Sequence, residues 1–172
     1  MFKRDGCFLD YAGGYGVFTR LMRDVGFRFF HVNPYTKNLF AQEFEWDKSE
    51  KMDGVTCFEC AEHLENPMEE FEKIFSVSKT VLISTVLLPE EVPSLDWDYY
   101  GFEHGQHISF YSSETLDYIA GRFGVVVSSV GNLHLFSSTP ISRRKMKWLI
   151  SKSDRVPHIF TRKTLFNQVV KK

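Results

Sequence analysis

Apolar and polar positions alternate along this chain in blocks that predict strands and helices in turn. Residues 7–9 form a short apolar run with β propensity that ends on Asp10, and a Gly-rich turn follows at Gly13, Gly14 and Gly16. Val17, Leu21, Met22 and Val25 then recur at near-helical spacing, which predicts a helix closed by Gly26 as its C-cap. Residues 29–32 read as a second strand ending at Asn33-Pro34, residues 36–42 as a weak helix and residues 44–46 as a brief third strand. Asp53-Gly54 introduces a fourth strand at 55–58. Asn66-Pro67 opens a helix with Pro in its first turn, Glu69, Glu70 and Glu72 near the favourable dipole end, and an apolar face of Met68, Phe71, Ile74 and Phe75. Residues 80–85, rich in β-branched side chains, read as the fifth strand. Ser112 or Ser113 N-caps a helix running to Phe123. Two last strands, 125–130 and 133–137, flank the hairpin turn Gly131-Asn132. Strands alternating with helices predict an α/β, doubly wound fold, with a mostly parallel seven-stranded sheet and a C-terminal antiparallel hairpin.

Two stretches of this pattern carry candidate chemistry. A strand that feeds a helix through glycines lets a ligand approach the backbone closely and frees amide donors at the helix N-terminus. Asp10 would repel a pyrophosphate there and suits a ligand carrying an ammonium and ribose hydroxyls; the plain alternative is a tight βα turn with no ligand. Residues 88–105 break the alternation with Pro89, Pro93, the acids Glu90, Glu91, Asp96 and Asp98, and the aromatics Trp97, Tyr99, Tyr100 and Phe102. A long loop at the ligand-binding end of a sheet reads either as a lid or as a loop fastened by its own aromatics.

Composition narrows the class. A chain of 172 residues fits one domain, and 17 Phe promise an aromatic-rich core or pocket. No apolar run is long enough to span a bilayer, and the N-terminus enters the first strand directly, so neither a membrane span nor a signal peptide is expected. Three cysteines fit a reducing, cytoplasmic setting better than a disulfide frame, and the Cys57/Cys60 spacing reads as coincidence rather than a zinc site. Residues 139–172 hold ten Lys or Arg against the single acid Asp154, a net of +9, while residues 1–138 carry a net of −10. The basic segment, with short helices at 142–151 and 161–170, is expected to lie on its own acidic body rather than to bind nucleic acid or anionic lipid.

The stretch Leu9-Asp10-Tyr11-Ala12-Gly13-Gly14-Tyr15-Gly16, the segment Phe58-Glu59-Cys60-Ala61-Glu62-His63-Leu64 and the terminal hairpin together resemble the class I S-adenosylmethionine-dependent methyltransferases over residues 7–138. The resemblance implies a Rossmann-like domain. It places Asp10, Ala12, Gly13, Gly14 and Gly16 around the methionine end of the cofactor, Asn33 at its ribose, and Glu45 or Asp47 at its adenine. Cys57, Phe58 and Glu59 would lie under the sulfonium. Ala12 stands where the family has Gly, a mild change if its φ is negative, and Asn33 replaces a ribose-binding acid, losing the charge-assisted grip of a carboxylate.

A second constellation joins Glu59, Glu62 and His63 with His107. On a helical turn Glu59 and Glu62 share a face, as do Glu59 and His63. The segment is similar to Glu-x-x-Glu-His in small-RNA 3′-terminal and ubiquinone-biosynthetic O-methyltransferases. That resemblance implies a Mg²⁺ or Mn²⁺ site completed by His107, holding vicinal hydroxyls and lowering the pKa of the one to be methylated. Without a metal, His107 reads as a general base, and the catalytic set is His107, His63 and Glu62. The expected function is O-methylation of a small-molecule or glycan-like hydroxyl. The chain begins a few residues before the first strand, so the covering helices seen in many members are not expected. The alternative is a truncated or degenerate domain that binds a partner without catalysis; a second subunit supplying the cover would make a homodimer.

Overall fold

Strand β1 (Cys7–Tyr11) is buried along its whole length, as expected of a parallel strand covered on both faces. The computed structural model describes residues 5–103 and 107–153, without the side chains of residues 152 and 153. Around β1 stand β2 (Arg28–Val32), β3 (Gly54–Phe58), β4 (Val81–Ser84), β5 (Val126–Val130) and β6 (Leu133–Ser137) in the order β2-β1-β3-β4-β6-β5. Strands β1 to β4 are parallel, while β6 runs antiparallel to both β4 and β5. The chain leaves β1 for one side of the sheet and later returns to the other. This puts the topological switch point, the usual ligand crevice, between the C-terminal ends of β1 and β3.

Side-chain alternation divides the core. Cys7, Leu9 and Tyr11 face a cluster with Val55, Ile83 and Phe136, sealed by α2 (Pro67–Val77) and α3 (Ser113–Arg122) through Phe71, Ile74, Phe75, Leu116 and Ile119. Phe8 points the other way and stacks on Phe29 at 5.4 Å; Phe18 of α1 (Val17–Asp24) meets Phe29 and Phe58 edge-on. Removing a ring such as that of fully buried Phe71 is worth about 3–5 kcal/mol. Met68 stays partly exposed, so the inner face of α2 is narrower than its sequence suggested.

Helix ends follow local chemistry. Gly26, at φ 93°, closes α1 with paired bonds, its own amide to Arg23 O and that of Phe27 to Met22 O. Ser112 caps α3 by accepting the Thr115 amide, and Pro67 opens α2. Helix α4 (Arg143–Ser153) lies against β5 and buries Met146. The second helix expected in the basic segment, at 161–170, lies outside the described residues.

The sheet has six strands among the described residues, not seven. Among the described residues, 44–46 join the sheet only through the bridge His31↔Glu45 and the bond Trp46 N–H to His31 O, because the chain turns away at once through Lys48 at φ 68° and an Asp47–Ser49 turn. Nor do residues 36–42 form a helix. The amides of Leu39 and Phe40 donate to Tyr15 O, and the buried Asn38 side chain accepts the Ala41 amide while donating to Glu45. Those donors are spent on fastening the stretch to the glycine turn, and only a 3₁₀ turn, Gln42–Phe44, remains.

Candidate active site

The glycine turn is shaped from beneath. A Cβ on Gly13 would stand 2.2 Å from Asp10 Oδ2, and one on Gly16 would stand 2.3 Å from Asn38 Oδ1. Gly14, at φ 56°, would meet nothing within 4 Å and presents bare backbone. Its carbonyl accepts from His31 Nε2 at 3.1 Å, while His31 Nδ1 lies 3.4 Å from Glu45 Oε1 without hydrogen-bond geometry. Ala12 sits at φ 56°, so the substitution for Gly is not mild: a left-handed conformation at a residue with a Cβ costs about 1–2 kcal/mol.

Above this turn, at the ends of β1 to β3, lies a cavity of about 670 Å³. Ala12, Gly14, Asn33, Glu59, Cys60 and His63 line it, as do Glu65, Glu69, Glu70 and Lys73 from the α2 side. Four glutamates against one lysine make its wall acidic. Glu70 is nearly buried and accepts from Tyr11 OH at 2.6 Å and from Lys73; burial, then the Glu70 bond, holds the Tyr11 phenol far above its usual range. A neighbouring groove of about 830 Å³ shares Asn33, Tyr35, Glu70 and Lys73 and runs beside Glu45, Trp46 and Met52.

Several expected contacts fall elsewhere. Asp10 does not line the cavity: it is 2% exposed and accepts from Thr19 Oγ1 and Thr56 Oγ1, both at 3.1 Å. Burial raises its carboxyl above the usual range, partly offset by those hydroxyls and by His31. Gly13 and Gly16 are likewise packing positions beside the cavity. Cys57 is buried and Phe58 packs on Phe18, leaving Glu59 and Cys60 at the wall. The bond to the Cys60 sulfur, followed by burial, pushes the Cys57 thiol well up. Asn33 does line the cavity, but its Oδ1 accepts the Tyr35 and Thr36 amides at 2.8 and 3.2 Å. Glu45 borders the groove and Asp47 is exposed, turned to Ser49.

The second constellation is assembled by backbone stitching. The Glu62 carbonyl accepts the amides of Ile108 and Ser109, Ser109 Oγ donates to Leu64 O, and Tyr111 OH donates to Ala61 O. These bonds draw residues 107–111 onto the 3₁₀ turn Ala61–His63. Glu62, His63 and His107 thereby offer ligand atoms all within 4.8 Å of one another. Glu62 is 0% exposed, and neither carboxylate oxygen has a hydrogen-bond partner among the described residues. Glu59 is not part of the trio. It lies before the 3₁₀ turn at φ 47°, its amide donating to Ser84 Oγ and its carboxylate accepting from that hydroxyl at 2.6 Å, so the shared helical face never forms. His107 packs between Tyr99 and His63, with centroids at 4.6 and 5.0 Å. His104 lies outside the described residues.

Residues 88–103 are fastened rather than open: Trp97, Tyr99 and Tyr100 all pack on Phe110, and Tyr99 OH bonds the end of β4. Sequence reasoning passed over Tyr11, Asn38, Lys73, Ser84 and Tyr99 as site-forming residues, and read Glu70 only as a helix-end charge. Tyr11 acts through Glu70 and Ser84 through Glu59, partners distant in the chain that no local spacing announces, whereas Lys73 and Glu70 form an i, i+3 pair on α2 that the sequence does carry.

Residues 1–130 match the family described as a methyltransferase domain, and the chain belongs to that family. Among curated proteins none matches. Solved structures share the fold. Magnesium protoporphyrin IX methyltransferase from Synechocystis PCC 6803, solved with bound SAH, superposes with TM-score 0.55 at 14% identity over 78% of this chain and 75% of that one. A Haloferax volcanii methyltransferase in complex with its activator gives 0.58 at 14% over 83% and 86%. The small RNA methyltransferase HEN1 gives 0.52 at 16% over 80% of this chain but 24% of its own.

Proposed function

We propose that this protein is an S-adenosylmethionine-dependent methyltransferase that methylates a hydroxyl of a small-molecule or glycan-like substrate. The observation that carries the reading is the fully buried Glu62 carboxylate, neither oxygen of which has a hydrogen-bond partner among the described residues, set against His63 and His107 beside a cavity at the sheet's switch point. An ionised carboxylate buried alone is unfavourable by several kcal/mol, and a cation bound between it and the two imidazoles would relieve that cost. With Glu59 outside the trio, one carboxylate and two imidazoles suit a transition ion such as Mn²⁺ better than Mg²⁺, which favours oxygen donors.

When bound, the sulfonium cofactor supplies an electrophilic methyl group, and a divalent ion supplies a Lewis acid that favours the ionised hydroxyl. The chain's residues do the rest. Bare backbone at Gly14 and the short side chain of Ala12 admit the cofactor, and the glutamates of the wall favour its ammonium and sulfonium charges. The same wall disfavours polyanions, which supports a neutral or cationic substrate over nucleic acid. His107 Nδ1 lies 2.6 Å from Tyr99 O and donates to it, leaving Nε2 to ligate or to take a proton. Methyl transfer needs alignment above all, so a rigid wall contributes much of the rate.

Isothermal titration calorimetry of the intact chain with S-adenosylhomocysteine tests the cofactor. Saturable binding is expected, and no heat at millimolar ligand sinks the enzyme reading. Activity lost in chelator and restored by Mn²⁺ is expected for the metal; unchanged activity in chelator rejects it. A second reading, a non-catalytic binding module, draws support from strained Ala12 and from an Asn33 oxygen already engaged by two amides.

A further inference from the structure

We propose that Tyr99 is a positioning residue for the Glu62, His63 and His107 site, holding His107 in one tautomer from a post anchored at the end of β4. The inference rests on the reading of that trio as the reacting centre. Tyr99 acts at both ends of its own residue. Its carbonyl takes the Nδ1–H of His107 at 2.6 Å, so that the basic nitrogen is Nε2. Its hydroxyl accepts the Val86 amide at 3.1 Å and shares a hydrogen bond with Thr85 Oγ1 at 3.1 Å. The ring itself packs on His107.

The post is rigid because Thr85 is tied on every side. Its side chain is buried, its amide donates to Asn132 O, and its carbonyl accepts from His134 Nε2 at 3.0 Å. His134 is fully buried in β6, with Nδ1 at 2.8 Å from Ser129 Oγ. Hydrogen bonds thus run from Ser129 through His134, Thr85 and Tyr99 to His107, tying the loop to the terminal hairpin. The Tyr99 phenol also approaches the Glu62 carboxylate, short of hydrogen-bond geometry; burial first, then Glu62, raises it above the usual range, against the lowering effect of Thr85 and Val86. One side chain therefore borders two of the three groups whose geometry a bound ion or a substrate hydroxyl would feel. An imidazole free to flip tautomers would present its basic nitrogen only part of the time.

The test uses full-length protein with ¹⁵N-labelled histidine, and long-range ¹H–¹⁵N correlation at pH 8 reads the His107 tautomer without cofactor or metal. The expected result is Nδ1–H in the wild type and a tautomer mixture in Tyr99→Phe. Titration with Mn²⁺ alone should then show about 10-fold weaker binding in the variant, the scale of losses when a partner of a metal ligand is removed. Thr85→Val removes only the shared hydroxyl bond and should give the same change in smaller measure, which guards against a Tyr99→Phe protein that folds poorly. An Nε2–H tautomer in the wild type overturns the proposal, as does a pure Nδ1–H form with unchanged Mn²⁺ affinity in both variants. If the wild type binds no Mn²⁺, the metal reading fails while the tautomer measurement still decides the role of Tyr99.

Discussion

Asp10 Oδ2 occupies the space that a side chain on Gly13 would need: the Cβ would stand 2.2 Å from it. The acid and the glycine of the first turn are thus one packing unit, with the carboxylate supporting the loop from below. Gly13→Ala should destabilise the fold by about 1–3 kcal/mol, the usual range for overpacking, measured by urea denaturation. An unchanged midpoint would show that Asp10 swings away freely.

Next to it, Ala12→Gly should leave the fold intact and raise stability by up to about 1 kcal/mol. Relief of the left-handed strain at φ 56° outweighs the added freedom of glycine in the unfolded chain. The same denaturation experiment checks it, and a lower midpoint speaks against strain at this position.

The Asp10 carboxyl itself predicts a pH dependence. Burial raises its pKa in the folded state above the ordinary 3.8. Protonation therefore favours folding, and its stabilisation is fully present below pH 3.8 and lost as pH rises through the folded-state value. Asp10→Asn should be at least as stable as wild type at pH 7, with that advantage shrinking as pH falls toward 4. Melting temperatures across pH 4–7 decide; a large loss of stability at pH 7 contradicts it.

His134 has the opposite sign. Burial lowers its pKa in the folded state below the ordinary 6.5, against a raising bond to Thr85 O. The unfolded chain binds the proton more readily, so the neutral ring's contribution is whole above pH 6.5 and lost as pH falls below it. His134→Gln should flatten the decline in stability between pH 7 and 5. A variant with the wild-type slope would place that titration elsewhere.

Glu62 offers the plainest trade between stability and function. With both oxygens buried and unpartnered among the described residues, Glu62→Gln should stabilise the metal-free protein by about 1–3 kcal/mol. If the trio holds Mn²⁺ as proposed, the wild type should melt at a higher temperature with that ion present and the variant should not. Loss of stability on this substitution would mean that the carboxylate has a partner worth more than its desolvation.

Residues 36–42 and 44–46 were legible as polar–apolar pattern, but Asn38 and the Leu39 and Phe40 amides are claimed by Tyr15 O, Ala41 and Glu45. Glu59 carries the right residue type at the right spacing, yet a left-handed backbone and Ser84 turn it out of the trio. Partners distant in the chain, Tyr15 and Ser84, overrode local preference for residues 36–42 and for Glu59, while a local turn at Lys48 ended the pairing of residues 44–46.

By itself, the amino-acid order determined what nearest neighbours decide: the strand–glycine–helix opening, the caps at Gly26, Ser112 and Pro67, the hairpin at Gly131, and the residue types able to ligate or take a proton. These depend on backbone freedom and side-chain period within a few residues. Only the tertiary structure decided that Asp10 supports the turn instead of facing the cavity, that the buried Glu62 carboxylate has no hydrogen-bond partner among the described residues, and that Tyr99 grips His107. Those outcomes depend on which groups long-range packing brings together and which it strips of water, and no local pattern encodes either.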